Sequence, residues 1–487
     1  MNTVIRIIQA IVVVMATAAF GFAAGQNGKL PITTSSQEAK SEYLKGLALA
    51  DNLRAQDSAE YFRKATQEDP KFAVAYLNLA FTEPSRDAFF KDMSQAVANA
   101  ANASEGERLW ILASDAAAKG EPNKQGEYLQ KLVAEYPQDE RAHNLLAVYY
   151  FGLQQYDNAI QEFQKAVSIN PDFAPSYNML GYSYRFNDQL DKSEQAFRKY
   201  IELIPNDPNP YDSYAELLMR MGRYDESIDN YRKALQQDPH FTGSSLGIAT
   251  DLNFKGEHEK AREELQKLYD SARNDGERRT ALLGMTISYL DEGNSQKALE
   301  EQDKMLALAK KMNDPTNVTG DLNTIGTILL ENGHAQEAQA KFDEAAKATE
   351  DSGVSPEVKK IAARNHIFFS AKVALASNDL KKAHADAADF QKQAEAEKNR
   401  FLIWLAHELN GTIALSEKKY DAAIQELLQS NQLDPYNIYR LALAYQGKGD
   451  KANARKFFER TVTFNGLNNL NYALIRTKAR ESEGKVS

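Results

Sequence analysis

The sequence predicts an all-α fold: a solenoid of antiparallel helix pairs, about twelve repeats in all. Three observations predict it. Pro171, Pro205 and Pro239 recur at 34-residue spacing, each ending a stretch of helix-forming sequence. Eight residues before each proline stands an aromatic (Phe163, Phe197, Tyr231), and twelve before it a small residue (Ala159, Ser193, Ser227). Proline and glycine are also scarce, 14 and 25 of 487 residues, which disfavours a loop-rich β fold.

The elements follow in order from that register. A repeat starting at 140, 174 or 208 places Ala147, Gly181 and Ala215 at position 8, and Tyr150, Tyr184 and Leu218 at position 11. Ala159, Ser193 and Ser227 then fall at position 20, and the proline at position 32. Small residues at 8 and 20 let paired helices approach closely, and proline cannot continue the hydrogen-bond ladder of the second helix. Upstream, Phe62, Ala65 and Pro70 mark a repeat over 39–72, residues 73–105 read as degenerate, and Leu129, Leu132 and Pro137 mark 106–139. Downstream, Ala249, Ala261 and Leu265 keep the register from 242. The period then lengthens, with repeats beginning near 279 (Tyr289, Ala298), 319 (Gly326, Ala338, Phe342) and 364. Gly411, Tyr420, Ala423 and Pro435 restore a regular repeat from 404, and Ala442, Tyr445, Ala454 and Phe458 form the last step. A polar capping helix is expected near 469–480.

These residues carry a resemblance to the tetratricopeptide-repeat (TPR) family. The resemblance implies a right-handed superhelix in which the first helix of each repeat lines a concave groove. The resulting organisation is a signal peptide over 1–25 and a flexible lead-in over 26–38. A regular array follows over 39–275, then a TPR-like array with longer helices over 276–403. C-terminal repeats, a capping helix and a polar tail occupy 404–487.

The N-terminal reading rests on an apolar run from Ile7 to Ala24, preceded by the lone charge Arg6 and ending in Ala23-Ala24-Gly25. That pattern predicts export, with cleavage before Gln26 and a periplasmic or secreted mature chain without membrane insertion. The alternative is an uncleaved N-terminal anchor, since the run approaches spanning length.

Composition excludes several classes. The net charge is -10, and no basic cluster suits nucleic acid. There are no cysteines, which removes disulfides, thiolate metal sites and thiol nucleophiles. His407-Glu408 opens like a zinc-protease helix, but Gly411 stands where the second histidine is required. The seven histidines show no ligand spacing, and His143 at position 4 reads as packing. Paired carboxylates such as Glu263-Glu264 read as solvated, and the sequons at Asn102, Asn317 and Asn410 are ordinary for this composition. Tyrosines at positions 4, 11, 17 and 24 read as core. With about 430 residues committed to hairpins, no segment remains for a catalytic domain, so no enzyme, cofactor or metal is expected.

The resemblance also implies a binding surface. Positions 2, 5, 9, 12 and 13 of the family point into the groove. Here they give Asn144, Asn178 and Asp212 at position 5, Tyr182 and Glu216 at position 9, and Arg185, Phe186 and Arg220 at positions 12 and 13. An asparagine row can hold an extended backbone through paired donors and acceptors. Arginines can pair with carboxylates. The expected function is an extracytoplasmic scaffold or adaptor that binds a partner peptide or helix in that groove. The alternatives are a ligand-sensing or carbohydrate-handling component of a cell-envelope system, built on 279–403, and a self-assembling array.

Overall fold

A computed structural model describes residues 28–52, 54–83 and 86–486. The signal-peptide and cleavage readings lie outside the described residues. The chain divides into two compact units, one ending at Pro210 and one beginning at Tyr211. The first carries α1 (Gln37–Asp51), α2 (Ala55–Glu68), α3 (Ala73–Ala80), α4 (Arg86–Asn99), α5 (Glu105–Ala118), α6 (Pro122–Glu135), α7 (Glu140–Gly152), α8 (Tyr156–Ile169), α9 (Ala174–Phe186) and α10 (Leu190–Leu203). α11 (Pro208–Arg220) straddles the division. The second unit continues with α12 (Tyr224–Gln237), α13 (Thr242–Phe254), α14 (His258–Asp270), α15 (Asp275–Glu292), α16 (Ser295–Lys311), α17 (Pro315–Glu331), α18 (Ala335–Glu350) and α19 (Pro356–Ala376). It ends with α20 (Leu380–Glu397), α21 (Arg400–Ser416), α22 (Tyr420–Gln429), α23 (Pro435–Lys448), α24 (Lys451–Val462) and α25 (Leu470–Val486). No strand occurs among the described residues, and the fold is an all-α array of helix pairs.

Local chemistry sets each hairpin. Helix starts carry side-chain caps, such as Ser104 with the reciprocal Glu107 of a capping box, and Asp139, Asn274 and Ser355. The turn inside a pair needs one residue in the left-handed region. In the first unit this is Gly120, Gln154 and Asp188, and in the second Gly222, Gly256, Gly293, Gly333, Asn378, Lys418 and Gly449. Each stands at position 15 of a repeat start read from the sequence, and the spacing widens after Gly256 as the helices lengthen. Glycine adopts this conformation freely, whereas Gln154 and Lys418 carry about 1 kcal/mol of strain there.

Packing follows the same register. A Cβ added at Gly46 would lie 2.8 Å from the ring of Phe62, and one at Gly181 2.6 Å from Phe197. Gly326 under Phe342 and Gly411 under Leu427 repeat the arrangement at 2.6 and 2.7 Å. Position 8 is thus small because the position-24 side chain rests directly on it. Phe62, Phe163, Phe197, Tyr231 and Phe342 are fully buried, each contributing roughly 2–3 kcal/mol by transfer alone. One repeat departs from the pattern. At position 24 of the repeat starting at 279 stands Gln302, fully buried with neither amide atom hydrogen-bonded.

The lead-in is tethered to the first unit, contrary to the flexible segment expected. Leu30 N–H donates to Asp139 Oδ2 at 2.8 Å, Thr33 N–H to Glu107 Oε1 at 2.8 Å, and Thr34 Oγ1 to Asp69 Oδ2 at 2.6 Å. Lys29 pairs with Glu140, and Leu30 and Ile32 pack on the core. The lead-in is therefore held by carboxylates of the repeats over 39–72 and 106–139 and of the one starting at 140.

Candidate functional site

The expected binding face is that of the odd-numbered helices, which carry positions 1 to 13 of each repeat. Position 5 is engaged within the array. In the first unit Ser176 Oγ donates to Asn144 Oδ1 at 2.9 Å, and in the second Ser244 Oγ donates to Asp212 Oδ1 at 2.7 Å. Both bonds run from position 3 of one odd helix to position 5 of the preceding one. These two acceptors tie neighbouring repeats together. Asn178 is buried, 5% exposed, and its Oδ1 has no protein partner. Burial, then the neighbouring Glu216, pushes the Asp212 carboxyl up to about 7 against the pull of Ser244.

Three of the expected anchors converge on α9. The Arg185 guanidinium lies 5.3 Å from the Tyr182 ring centroid and 4.9 Å from that of Phe186. Phe186 in turn stacks on Tyr156 at 5.5 Å and meets Phe151 edge-on at 5.7 Å. All three anchors are half-buried, and Val148 at position 9 of α7 is 42% exposed. The cluster sets a planar cation over aromatic faces that solvent still reaches.

In the second unit the odd-helix face of α13, α15 and α17 is covered. The expected capping helix is α25, but its inner side is not a solvated cap: Tyr472, Ala473, Ile475 and Ala479 are buried, and Arg476 is 4% exposed. Arg476 Nε donates to Asp291 Oδ1 at 2.7 Å, and its Nη2 to the Asn253 carbonyl at 3.1 Å. Asn471 donates to Asp434 at 3.1 Å, and Lys478 reaches Glu331 at 3.3 Å. Leu470 and Ala473 pack with Ile287, Leu290 and Ile328. Residues 463–469 continue the cover, where Arg220 donates to the carbonyls of Thr463 and Phe464, and Tyr224 to Asn465 Oδ1 at 3.1 Å. Arg220, expected to meet a partner's carboxylate, instead holds the chain's own C-terminal segment. In repeat numbering several of the contacted residues stand at position 9 (Ile287), position 12 (Asn253, Leu290) and position 13 (Arg220, Phe254, Asp291, Glu331), while Ile328 stands at position 10 and Tyr224 at position 17. The implied groove positions are therefore real contact positions here, occupied from within the unit.

Other buried groups serve packing. His143 lies 2.6 Å from Glu162 and 3.1 Å from the Pro137 carbonyl. His407 meets Glu426 at 2.7 Å rather than a second histidine. Asp251 is fully buried on α13, and burial pushes its carboxyl up to about 8, with Ser227 and Lys255 pulling the other way. Among the described residues, no group of three or more histidine, aspartate and glutamate side chains has metal-binding geometry. No described helix is long and apolar enough to cross a membrane.

Comparison with known proteins agrees with this geometry. Family models described as tetratricopeptide repeat match residues 140–173, 162–195, 208–241 and 436–463. Among solved structures, the APC/C hetero-tetramer Cut9-Hcn1 is 16% identical, with 91% of this chain and 76% of that chain covered and a TM-score of 0.40. A tetratricopeptide repeat protein from Parabacteroides merdae is 15% identical over 54% of this chain and 99% of its own, with a TM-score of 0.38. MamA from Desulfovibrio magneticus is 16% identical over 35% and 98%, with a TM-score of 0.31. Curated protein sequences give no match. With these scores below 0.5, the assignment rests on the matched repeats and on the position-8, position-15 and position-24 register that both units share. On that basis the chain carries tetratricopeptide repeats over residues 140–195, 208–241 and 436–463.

Proposed function

We propose that the chain is a non-catalytic protein-interaction scaffold that works outside the cytoplasmic membrane and holds a segment of a partner polypeptide on the odd-helix face of α7 and α9. One observation carries the reading: Arg185 lies against the rings of Tyr182 and Phe186 on a face that solvent still reaches. Aromatic and arginine side chains clustered in this way are the usual anchors of protein interfaces. Exposed Val148 extends the same face on the preceding odd helix. The extracytoplasmic location rests on the apolar segment of residues 7–24 and its small-residue end.

The test is comparative capture. Chain beginning at Gln26 is immobilised beside its Arg185→Ala variant, and both are exposed to envelope extract of the source organism. The expected result is one dominant protein retained by the first column and lost from the second. Equal retention by both columns would remove the α9 surface from the reading, and no retention on either would remove the scaffold.

A further inference from the structure

α25 docks on the odd-helix face of α13, α15 and α17 through buried apolar side chains, Tyr472, Ala473, Ile475 and Ala479, and through a buried ion pair, Arg476 with Asp291, which also receives His258 Nε2 at 2.9 Å. A buried pair gives little net stability compared with apolar packing of equal volume, but it strongly penalises a mismatched partner. It therefore sets which segment fits more than how firmly the segment is held. The fit is also incomplete: a cavity of about 10 Å³, the size of one water, remains between Thr250, Ile287 and Tyr472. The tether from α24 passes through Asn465 and Asn468, both in the left-handed region.

We propose that the odd-helix face of α13, α15 and α17 is a binding site for a helical segment of another polypeptide carrying an aromatic residue and an arginine one turn apart. Residues 463–480 occupy it in cis until such a segment displaces them. Tyr472 and Arg476 define the ligand. The Tyr472 ring meets Phe254 edge-on at 5.6 Å, and the guanidinium four residues later reaches the Asp291 carboxylate. Lys478 opposite Glu331 places a second cation half a turn further on. The side chains that receive this helix stand at repeat positions 9 and 13, as Tyr182 and Phe186 do on α9. The proposal concerns a separate surface and does not depend on the α9 reading.

A tethered segment competes at an effective concentration in the millimolar range, so a free copy of it should bind the intact chain poorly. The test titrates a fluorescein-labelled synthetic peptide of residues 463–486 into the full chain and into the full chain carrying Arg476→Ala. The variant is expected to bind the peptide at least about tenfold more tightly, because its own segment competes less. The peptide carrying the same substitution is expected to bind neither chain. Equal affinity of the two chains for the native peptide, or binding of the substituted peptide, would overturn the proposal. A dimer that requires Arg476 would seat a second copy's segment on this face and overturn the foreign partner. Hydrogen exchange on the unaltered chain keeps the idea testable should the variant fold poorly. Amides of α25 are expected to exchange at least about tenfold faster than those of α24, through an opening that leaves the rest of the unit closed. Exchange of α25 only together with the whole unit would make it an integral part of the fold and end the proposal.

Discussion

Val148 on α7 and Ile287 on α15 occupy the same place in the repeat, position 9 of an odd helix, and meet different surroundings. Val148 is 42% exposed, whereas Ile287 is 6% exposed beneath Leu470 and Ala473. Both helices belong to the same kind of hairpin, so repeat geometry alone does not decide whether the face is available. What decides it is complementary chemistry elsewhere in the same unit. The second unit places Asp291 and Glu331 at position 13, and α25 supplies Arg476 and Lys478 to match them. On α9 the corresponding positions are themselves aromatic and cationic, and Arg185 is matched locally by the rings of Tyr182 and Phe186. A face that supplies its own cation needs no cationic cover.

The largest effect should come from breaking the cover. Arg476→Ala leaves the Asp291 carboxylate buried without its main partner and is expected to cost about 3–5 kcal/mol in docking of α25. Arg185→Ala, which removes half-exposed cation–ring contacts, should cost about 1 kcal/mol or less. Urea unfolding of both variants, read with probes in each unit, checks the pair of values. Equal losses would erase the contrast between the two faces.

A smaller effect of opposite sign is expected at Gln302→Leu. Position 24 elsewhere in the array is filled by aromatic or aliphatic side chains, as at Phe197, Phe342 and Leu427, so leucine removes a buried, unpaired amide and restores the pattern. A gain of about 1–3 kcal/mol in the second unit is the expectation, read as a higher urea midpoint. A loss would show that the amide has a partner that this packing does not reveal.

A further effect depends on pH. Burial raises the Asp251 carboxyl to about 8, so the folded chain holds a proton that the unfolded chain releases near pH 4. Between those values the unfolded state binds fewer protons, and stability falls as pH rises, with the cost complete only above about 8. Asp251→Asn removes this dependence. The melting temperature of the variant should exceed that of the parent most at pH 8.5, and the difference should narrow towards pH 5. A constant difference across that range would place the Asp251 titration elsewhere.

The fold was largely legible because its determinants are local and periodic. The 34-residue proline spacing, the small residue at position 8 and the aromatic at position 24 each follow from one helix packing on the next, and each leaves a mark in the sequence. Even in the long-period stretch, Gly293, Gly333 and Asn378 fall where the repeat starts near 279, 319 and 364 put them. The turn residues Gln154 and Lys418 were not legible, because neither type signals a left-handed turn. The candidate site was half legible. Tyr182, Arg185 and Phe186 come together on one helix, where adjacency in sequence and in space coincide. The cover was missed because it joins residues far apart in the chain, such as Arg476 with Asp291. One signal was present: Tyr472, Ile475, Arg476 and Ala479 share one helical stripe in a segment read as polar. Leu30 and Ile32 likewise alternate in strand fashion within the lead-in read as flexible.

The odd-helix face of α7 and α9 is open and that of α13, α15 and α17 is covered from within its own unit, and thiol accessibility tests this contrast most directly. The chain has no cysteines, so Val148→Cys and Ile287→Cys each create a single reactive thiol at the same repeat position. With a maleimide probe under native conditions, the thiol at 148 is expected to react at nearly the rate of a free peptide thiol. The thiol at 287 should react slower by about a hundredfold or more, because it is reached only when α25 opens. Comparable rates at the two positions would contradict the account.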